Sequence, residues 1–375
     1  MLSQPPFWFV AIAFLLALGP LIVFHELGHY WVARWFGVGA EAFSIGFGKE
    51  IAGWTDKRGT RWKVGLLPLG GYVKFVGDAD PTSTTDHSED LSPDDRRKSF
   101  HLRPPWQRFL IVLAGPASNF IIAILIFAAF FAAFGMPRTA NLIANVEAGS
   151  AADTAGIKPG DRIVAIAGRQ TPSFEDVSDY VALRPSEKVE IRVERAGQTL
   201  VLPATIGAVE QADRFGQNFR IGRLGVLGSR QIVAVPPMRL IPEAVTATVK
   251  TTRSMIDGLW QIISGRRSLK DLGGPLRMAQ IAGQQASLGL FEFISLIAIL
   301  SINLGFINLL PIPMLDGGHL VLYSIEAVRR RPASERVAEW AFRGGLAFLL
   351  ALLLVATFND LGFFGLWDGV GRLIG

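Results

Sequence analysis

His25, Glu26 and His29 stand in the order H-E-x-x-H within "VFHELGHYWV" (23–32), at the end of an apolar run that begins near Phe7. On a helix, residues i and i+4 share one face about a turn apart. His25 and His29 can therefore offer two neutral imidazoles to one zinc ion. Glu26 stays outside that pair, where its carboxylate can take a proton from an attacking water. Ionisable groups within an apolar helix are costly and generally functional, which weighs against a mere polar patch buried between helices.

Two histidines leave such a site short, because a catalytic zinc takes three protein ligands and keeps one position open. His87 lies in a polar stretch, His101 just before the second apolar run, and Asp316 and His319 in "NLLPIPMLDGGHL" (308–320). In that last segment Pro311 and Pro313 cannot continue a helix, and Gly317-Gly318 permit a tight reversal. Broken backbone at membrane depth is tolerated where it is buried in protein or lines a wet cavity. Asp316 is the expected third ligand and His319 its rival.

The elements that must position these residues are membrane spans. Half of the 375 residues are hydrophobic, more than is usual for a soluble chain. The expected fold is an α-helical polytopic membrane protein with four transmembrane helices, a membrane-associated β-hairpin or sheet region, and one inserted extracytoplasmic domain. Transmembrane helix 1 falls in 1–37, helix 2 in 108–135, helix 3 with its Pro-rich end in 288–320 and helix 4 in 341–360. Residues 38–107 read as a cytoplasmic-side strand region and a polar loop, since "WKVGLLPLGGYVKFVG" (62–77) has strand composition around Gly70 and Gly71 and 78–99 is polar and turn-rich. Residues 138–206 read as a compact unit of short strands and glycine turns ending in a hairpin with Ala196-Gly197 near its turn. Residues 207–287 read as an amphipathic connecting region, 321–340 as a cytoplasmic loop and 361–375 as a tail.

Basic residues set the orientation. Arg96, Arg97, Lys98, Arg103 and Arg108 precede helix 2, and Arg329, Arg330, Arg331 and Arg336 precede helix 4, so those loops are expected to be cytoplasmic. Both termini and 138–285 then face the other side. Spans one and three run in the same direction, which brings the His25–His29 cluster and Asn308–Asp316 to one face.

Composition excludes several classes. The absence of cysteine removes disulfides, thiolate zinc sites and cysteine nucleophiles. The net charge of +5 belongs to residues flanking apolar runs and makes no stripe with stacking aromatics, so nucleic acid is not expected as a partner. "MLSQPPFWF" has no Lys or Arg and is not expected to be a cleaved signal peptide.

"HELGH", "GLLPLGGYVKF", "GPASNF", "SAADTAGIKPGDRIVAIAG" and "NLLPIPMLDGGHL" occur in that order over nearly the whole chain. The set resembles the site-2 protease family of intramembrane zinc metalloproteases, of the bacterial type similar to the regulator of sigma-E protease, and 138–206 resembles a PDZ domain. The resemblance implies Zn2+ bound by His25, His29 and Asp316, Glu26 as catalytic glutamate, and Asn308 as a substrate-contacting residue. It further implies a multi-pass protein of the bacterial inner membrane with its active site near the cytoplasmic face. Its substrates would be single-span membrane proteins, such as an anti-sigma factor or a remnant signal peptide, first trimmed by another protease. The strand region 59–77, with Gly70, Gly71, Tyr72 and Val73, could pair with an extended substrate by β-strand addition. The chain has room for one PDZ unit where related proteins carry two. The rival readings are a membrane PDZ adaptor with a structural or absent metal, and a metal-dependent transporter. Four spans without an inverted repeat disfavour the transporter.

Overall fold

The computed structural model describes residues 5–77, 92–182, 184–212, 218–265, 273–331 and 334–363. His87, most of the polar loop and all but the first residues of the C-terminal tail lie outside them. The chain divides into two compact units, one of residues 1–128, 241–260 and 268–375, the other of 129–240 and 261–267.

The first unit opens with α1 (Phe7–Trp35), followed by β1 (Ala40–Thr55), β2 (Arg61–Phe75), α2 (Pro93–Lys98) and α3 (Pro105–Phe134). β1 and β2 are long and bent, and β1 is flanked twice: Phe43 faces both Val73 and Trp62, and Ser44 both Tyr72 and Lys63. Phe43 is buried at the centre, stacked on Trp62 at 4.5 Å and edge-on to Tyr30 of α1 at 5.9 Å. That aromatic contact seats the sheet on the half of α1 that carries the histidines. α2 falls within the stretch expected to be a polar loop. Ser92 caps it by accepting the Asp95 N–H, and Pro93 opens its first turn.

The second unit contains β3 (Met136–Val146), α4 (Ala151–Thr154), β4 (Arg162–Ile166), β5 (Arg169–Gln170), α5 (Phe174–Ala182), β6 (Lys188–Arg195), β7 (Gln198–Thr205), β8 (Gly207–Ala212), β9 (Asn218–Arg223) and β10 (Val226–Val233). One sheet runs β10-β3-β4-β6-β7 with β5 beside β4, and β8 pairs with β9. β6 alternates strictly, burying Val189, Ile191 and Val193 while Lys188, Glu190 and Arg192 face out, as a half-buried strand requires. Ala196 and Gly197 both have positive φ and join β6 to β7 in a two-residue turn. Strands β8, β9 and β10 fall in the region that the sequence reads as an amphipathic connection. They escape notice because β10 pairs with β3, some 80 residues upstream in the chain, so local pattern alone does not announce them.

The chain then forms α6 (Pro237–Ile263), α7 (Pro275–Leu288), α8 (Leu290–Asn308), α9 (Asp316–Arg329) and α10 (Glu335–Phe363). α6 leaves Ile241, Val245, Val249, Ile256 and Trp260 exposed along one side. Among the described residues, four helices are long and apolar enough to cross a membrane: Phe7–Trp35, Pro105–Phe134, Leu290–Asn308 and Glu339–Gly362. The one acidic residue of α8, Glu292, lies in its first turn, where the helix dipole favours a negative charge. Asp360 is buried near the end of α10 and accepts the N–H groups of Gly274, Leu276 and Arg277 at 2.8–3.1 Å, satisfying the start of α7.

Candidate active site

The site is built where α1 and α3 come into backbone contact. A Cβ on Gly28 would overlap the carbonyl of Ala114 and lie 3.1 Å from Ser118 Cβ, and one on Gly115 would overlap the His29 ring. Small residues allow such approach in apolar surroundings, where packing must hold helices together. Ser118 adds a hydrogen bond from its hydroxyl to the Phe24 carbonyl at 2.9 Å.

Both imidazoles are anchored through Nδ1. His29 Nδ1–H donates to the Ile111 carbonyl at 2.9 Å. Since a carbonyl can only accept, the proton sits on Nδ1 and Nε2 keeps a free lone pair. His25 Nδ1 lies 3.0 Å from the side-chain amide of Asn119, which is fully buried. The two Nε2 atoms face each other at 3.2 Å.

Asp316 reaches the same point from α9. Its Oδ2 is 3.1 Å from His25 Nε2, and its Oδ1 is 3.5 Å from His29 Nε2. Oδ2 is buried and, despite that short separation, makes no aligned hydrogen bond. The three ligand atoms lie within 4.8 Å of one another. Tetrahedral bonds of about 2.0–2.2 Å would hold donor atoms roughly 3.3–3.5 Å apart, close to the separations seen. Two imidazole nitrogens and a carboxylate oxygen, with one oxygen unsatisfied, fit a zinc ion.

Asp316 is delivered differently from expectation. The reversal after α8 is made at Met314, whose φ is +83°, and Leu315 is extended before α9 begins at Asp316. Gly317 and Gly318 do not turn; they lie in the first turn of α9. There a Cβ on Gly317 would overlap the carbonyls of Leu309 and Leu310, and one on Gly318 would come 2.8 Å from Pro313 Cα. The glycines serve close approach. Asn308 is the last residue of α8.

The rival ligands are elsewhere. His319 packs its ring 4.9 Å from Phe342 and 6.1 Å from Tyr323, and His101 lies beside Phe100. Neither belongs to the group of three.

Glu26 also lies outside that group and meets β2 instead. The backbone N–H of Val73 lies near its carboxylate. A Cβ on Gly71 would lie 3.2 Å from both Glu26 Cγ and Ile22 Cγ2. Tyr72 points away, stacked on Phe47 at 6.1 Å with Lys63 4.9 Å from its ring centre. Gly70 has φ +122°, and any side chain there would run into the Phe47 ring. The 70–73 segment is thus a strand held against the HExxH turn. In "GPASNF" the sequence alone assigns no role to Asn119 or Gly115. The signal available was a buried-type asparagine four residues after a glycine in a charge-free span, which puts both on one face.

Comparison with known proteins agrees with this site. Residues 13–352 match the model of peptidase family M50. A protein of Agrobacterium fabrum, named provisionally as a zinc metalloprotease, is 44% identical over 357 residues, covering 93% of this chain and 95% of that one. One of Rhizobium meliloti with the same provisional name is 40% identical over 93% of this chain and 95% of its own. Metalloprotease MmpA of Caulobacter vibrioides is 37% identical over 98% of this chain and 99% of its own. A family match across most of the length, four helices long and apolar enough to cross a membrane among the described residues, and a donor set that fits zinc lead to one assignment: the chain belongs to peptidase family M50, the site-2 proteases, and is a multi-pass membrane zinc metalloprotease.

Proposed function

We propose that this enzyme hydrolyses peptide bonds within or near the membrane segment of single-span proteins. The observation that carries the proposal is the meeting of His25 and His29, inside the apolar helix α1, with Asp316 at the start of α9, and with Glu26 beside them but outside the group. In this reading His25, His29 and Asp316 hold Zn2+, which polarises the scissile carbonyl when bound. Glu26 takes the proton of the attacking water and passes it to the leaving amine. Three protein ligands leave the open position that catalysis needs, whereas a structural site is closed by four. That separates the protease reading from a PDZ adaptor with a structural metal.

A membrane helix satisfies its own amides, so it must be unwound before attack. The edge formed by Gly71 and Val73 runs beside Glu26 and suits pairing with an extended segment. The Val73 N–H lies near Glu26. By strand alternation the amide and carbonyl of Gly71 lie on that same edge, available to a substrate strand. Asn308, at the end of α8, is proposed to hold substrate backbone.

The 138–206 region is proposed to act as an extracytoplasmic PDZ domain. A cavity of about 520 Å3 between α5 and residues 222–227, lined by Phe174, Val177, Val181 and Leu224, supports a peptide-binding or size-checking role. With the active site at the cytoplasmic face of a bacterial inner membrane, the enzyme would cut substrates already trimmed by another protease, as in regulated intramembrane proteolysis of an anti-sigma factor or a remnant signal peptide.

Glu26→Gln tests the reading. The amide is nearly isosteric and cannot accept a proton, so zinc content should stay at the wild-type level while cleavage of a single-span substrate falls by about 10³-fold or more. Turnover near the wild-type rate would end the general-base role, and loss of zinc would make Glu26 a ligand.

A further inference from the structure

The two histidines differ in how their tautomers are fixed. His29 faces the backbone carbonyl of Ile111 at 2.9 Å, an acceptor only, so its proton has no choice but Nδ1. His25 Nδ1 faces a side-chain amide, that of Asn119, at 3.0 Å. An amide can present either its NH2 or its oxygen by a half-turn of the last torsion. With the NH2 toward His25, Nδ1 accepts, the ring proton moves to Nε2, and the atom aimed at Asp316 and His29 can no longer donate a lone pair to a metal. With the oxygen toward His25, Nδ1–H donates and Nε2 is free.

We propose that Asn119 is a positioning residue for the metal centre: its side-chain oxygen accepts from His25 Nδ1–H, selecting the tautomer whose Nε2 can bind zinc. Several features equip it for this. It is fully buried, so water does not compete for Nδ1. Its main chain is held from the other side, where Ser301 Oγ of α8 donates to the Asn119 carbonyl at 2.7 Å. Among the described residues, no other hydrogen bond to His25 Nδ1 is present. Its Oδ1 has no partner when the NH2 faces His25, so that arrangement leaves a buried acceptor unsatisfied, which is costly. The metal-binding arrangement moves this oxygen onto a donor. Partners of this kind orient ligating imidazoles and raise their basicity.

The inference rests on His25 being a zinc ligand, and the test keeps the two separable. Asn119→Leu keeps a similar volume and loses all hydrogen bonding, whereas Asn119→Asp can only accept. Apparent zinc affinity is measured on the full-length protein in detergent, by competition with a chromophoric chelator at pH 7. Asn119→Leu should weaken zinc binding about 10- to 100-fold, and Asn119→Asp should retain or exceed wild-type affinity. The chain has only five histidines, so 15N-histidine spectra can follow the His25 ring. Zinc-loaded wild type and Asn119→Asp should show a slowly exchanging His25 Nδ1 proton, and Asn119→Leu a fast-exchanging one. Equal zinc affinity in Asn119→Leu and wild type would overturn the proposal. So would an Asn119→Asp protein as weak as Asn119→Leu, since the position would then not require an acceptor. The wild-type spectrum decides even if both variants fold poorly: a fast-exchanging His25 Nδ1 proton contradicts the hydrogen bond. His25→Ala is run alongside. Retained zinc there would refute the ligand assignment itself, whereas lost zinc with an unaffected Asn119→Leu refutes only the role of Asn119.

Discussion

Replacing Gly115 by alanine should dismantle the zinc site while leaving every ligand in the sequence. The added Cβ would overlap Nε2 and Cε1 of His29 and lie 2.9 Å from its Cδ2. Comfortable carbon contacts begin near about 3.5 Å, so Cδ2 alone must retreat by about 0.6 Å and the two overlapped atoms by more. Gly115 is on α3 and His29 on α1, and the helices already touch at Gly28 and Ala114, so neither backbone can yield cheaply. The ring is pinned on its far side by the Ile111 carbonyl; moving it also strains that bond. Zinc–ligand distances hold within about 0.2 Å, so the required shift is several times the tolerance. We expect apparent zinc affinity to drop at least about 100-fold, equivalent to about 2.7 kcal/mol. The assay is zinc content by mass spectrometry after exhaustive dialysis, followed by chelator competition on the purified protein. Gly19→Ala on α1 is the control, because a Cβ there meets nothing within 4 Å. Wild-type zinc affinity in Gly115→Ala would refute the reasoning, since the ring position could then not be what the glycine protects.

Asp316→Ala should strip zinc and abolish cleavage, whereas His319→Ala should keep zinc, because its ring packs on Phe342 instead; metal analysis of both variants decides the third ligand. In the second unit, burial opposes ionisation of Asp161, but hydrogen bonds from Arg195 at 2.6 and 2.7 Å and from the Lys158 N–H hold its carboxyl below the usual range. Its stabilising contribution is therefore complete above about pH 4 and is lost as pH falls through the lowered native value. Asp161→Asn should lower the urea midpoint of that unit at pH 7 and lose its effect near pH 2, as read by pulse-labelling of its peptides. Asp360→Ala should destabilise by about 1–2 kcal/mol through loss of the α7 cap while leaving zinc content unchanged, as followed by thermal melting in detergent.

The parts of the site legible in the sequence are those with local periodicity. The spacing of His25 and His29 needs only a helix, and charge-free length alone announces a span. The Ala196-Gly197 turn follows from two residues that must both take positive φ. The approach of Asp316 to His25 and His29 was legible because spans one and three were expected to run the same way and the prolines fix where α8 stops. What sequence left hidden depends on tertiary neighbours. Gly317-Gly318 look like a turn from composition, yet the left-handed residue is Met314 and the glycines make room for the carbonyls of the preceding segment. Asn119 looks like any polar interruption until α3 is laid against His25. The strands in 207–233 become strands only by pairing, β10 with β3 and β8 with β9.

In the proposed reading, a carboxylate as the third donor suits the charge the site would hold. Two neutral imidazoles around a divalent cation leave two positive charges in an apolar setting, and an unpaired buried charge is strongly disfavoured. Asp316 would offset one of them and Glu26, close by, the other, so the proposed site with zinc bound would be neutral as a whole. Asp316 is also the first residue of α9. There the free N–H groups and the dipole of the helix favour a negative side chain, so the same placement that aims the carboxylate at the histidines helps keep it ionised. The backbone break after α8 exists to begin a new helix at that point. Gly317 and Gly318 just after it, and Gly28 and Gly115 across the site, let three helices converge closely enough for these side chains to meet at one position.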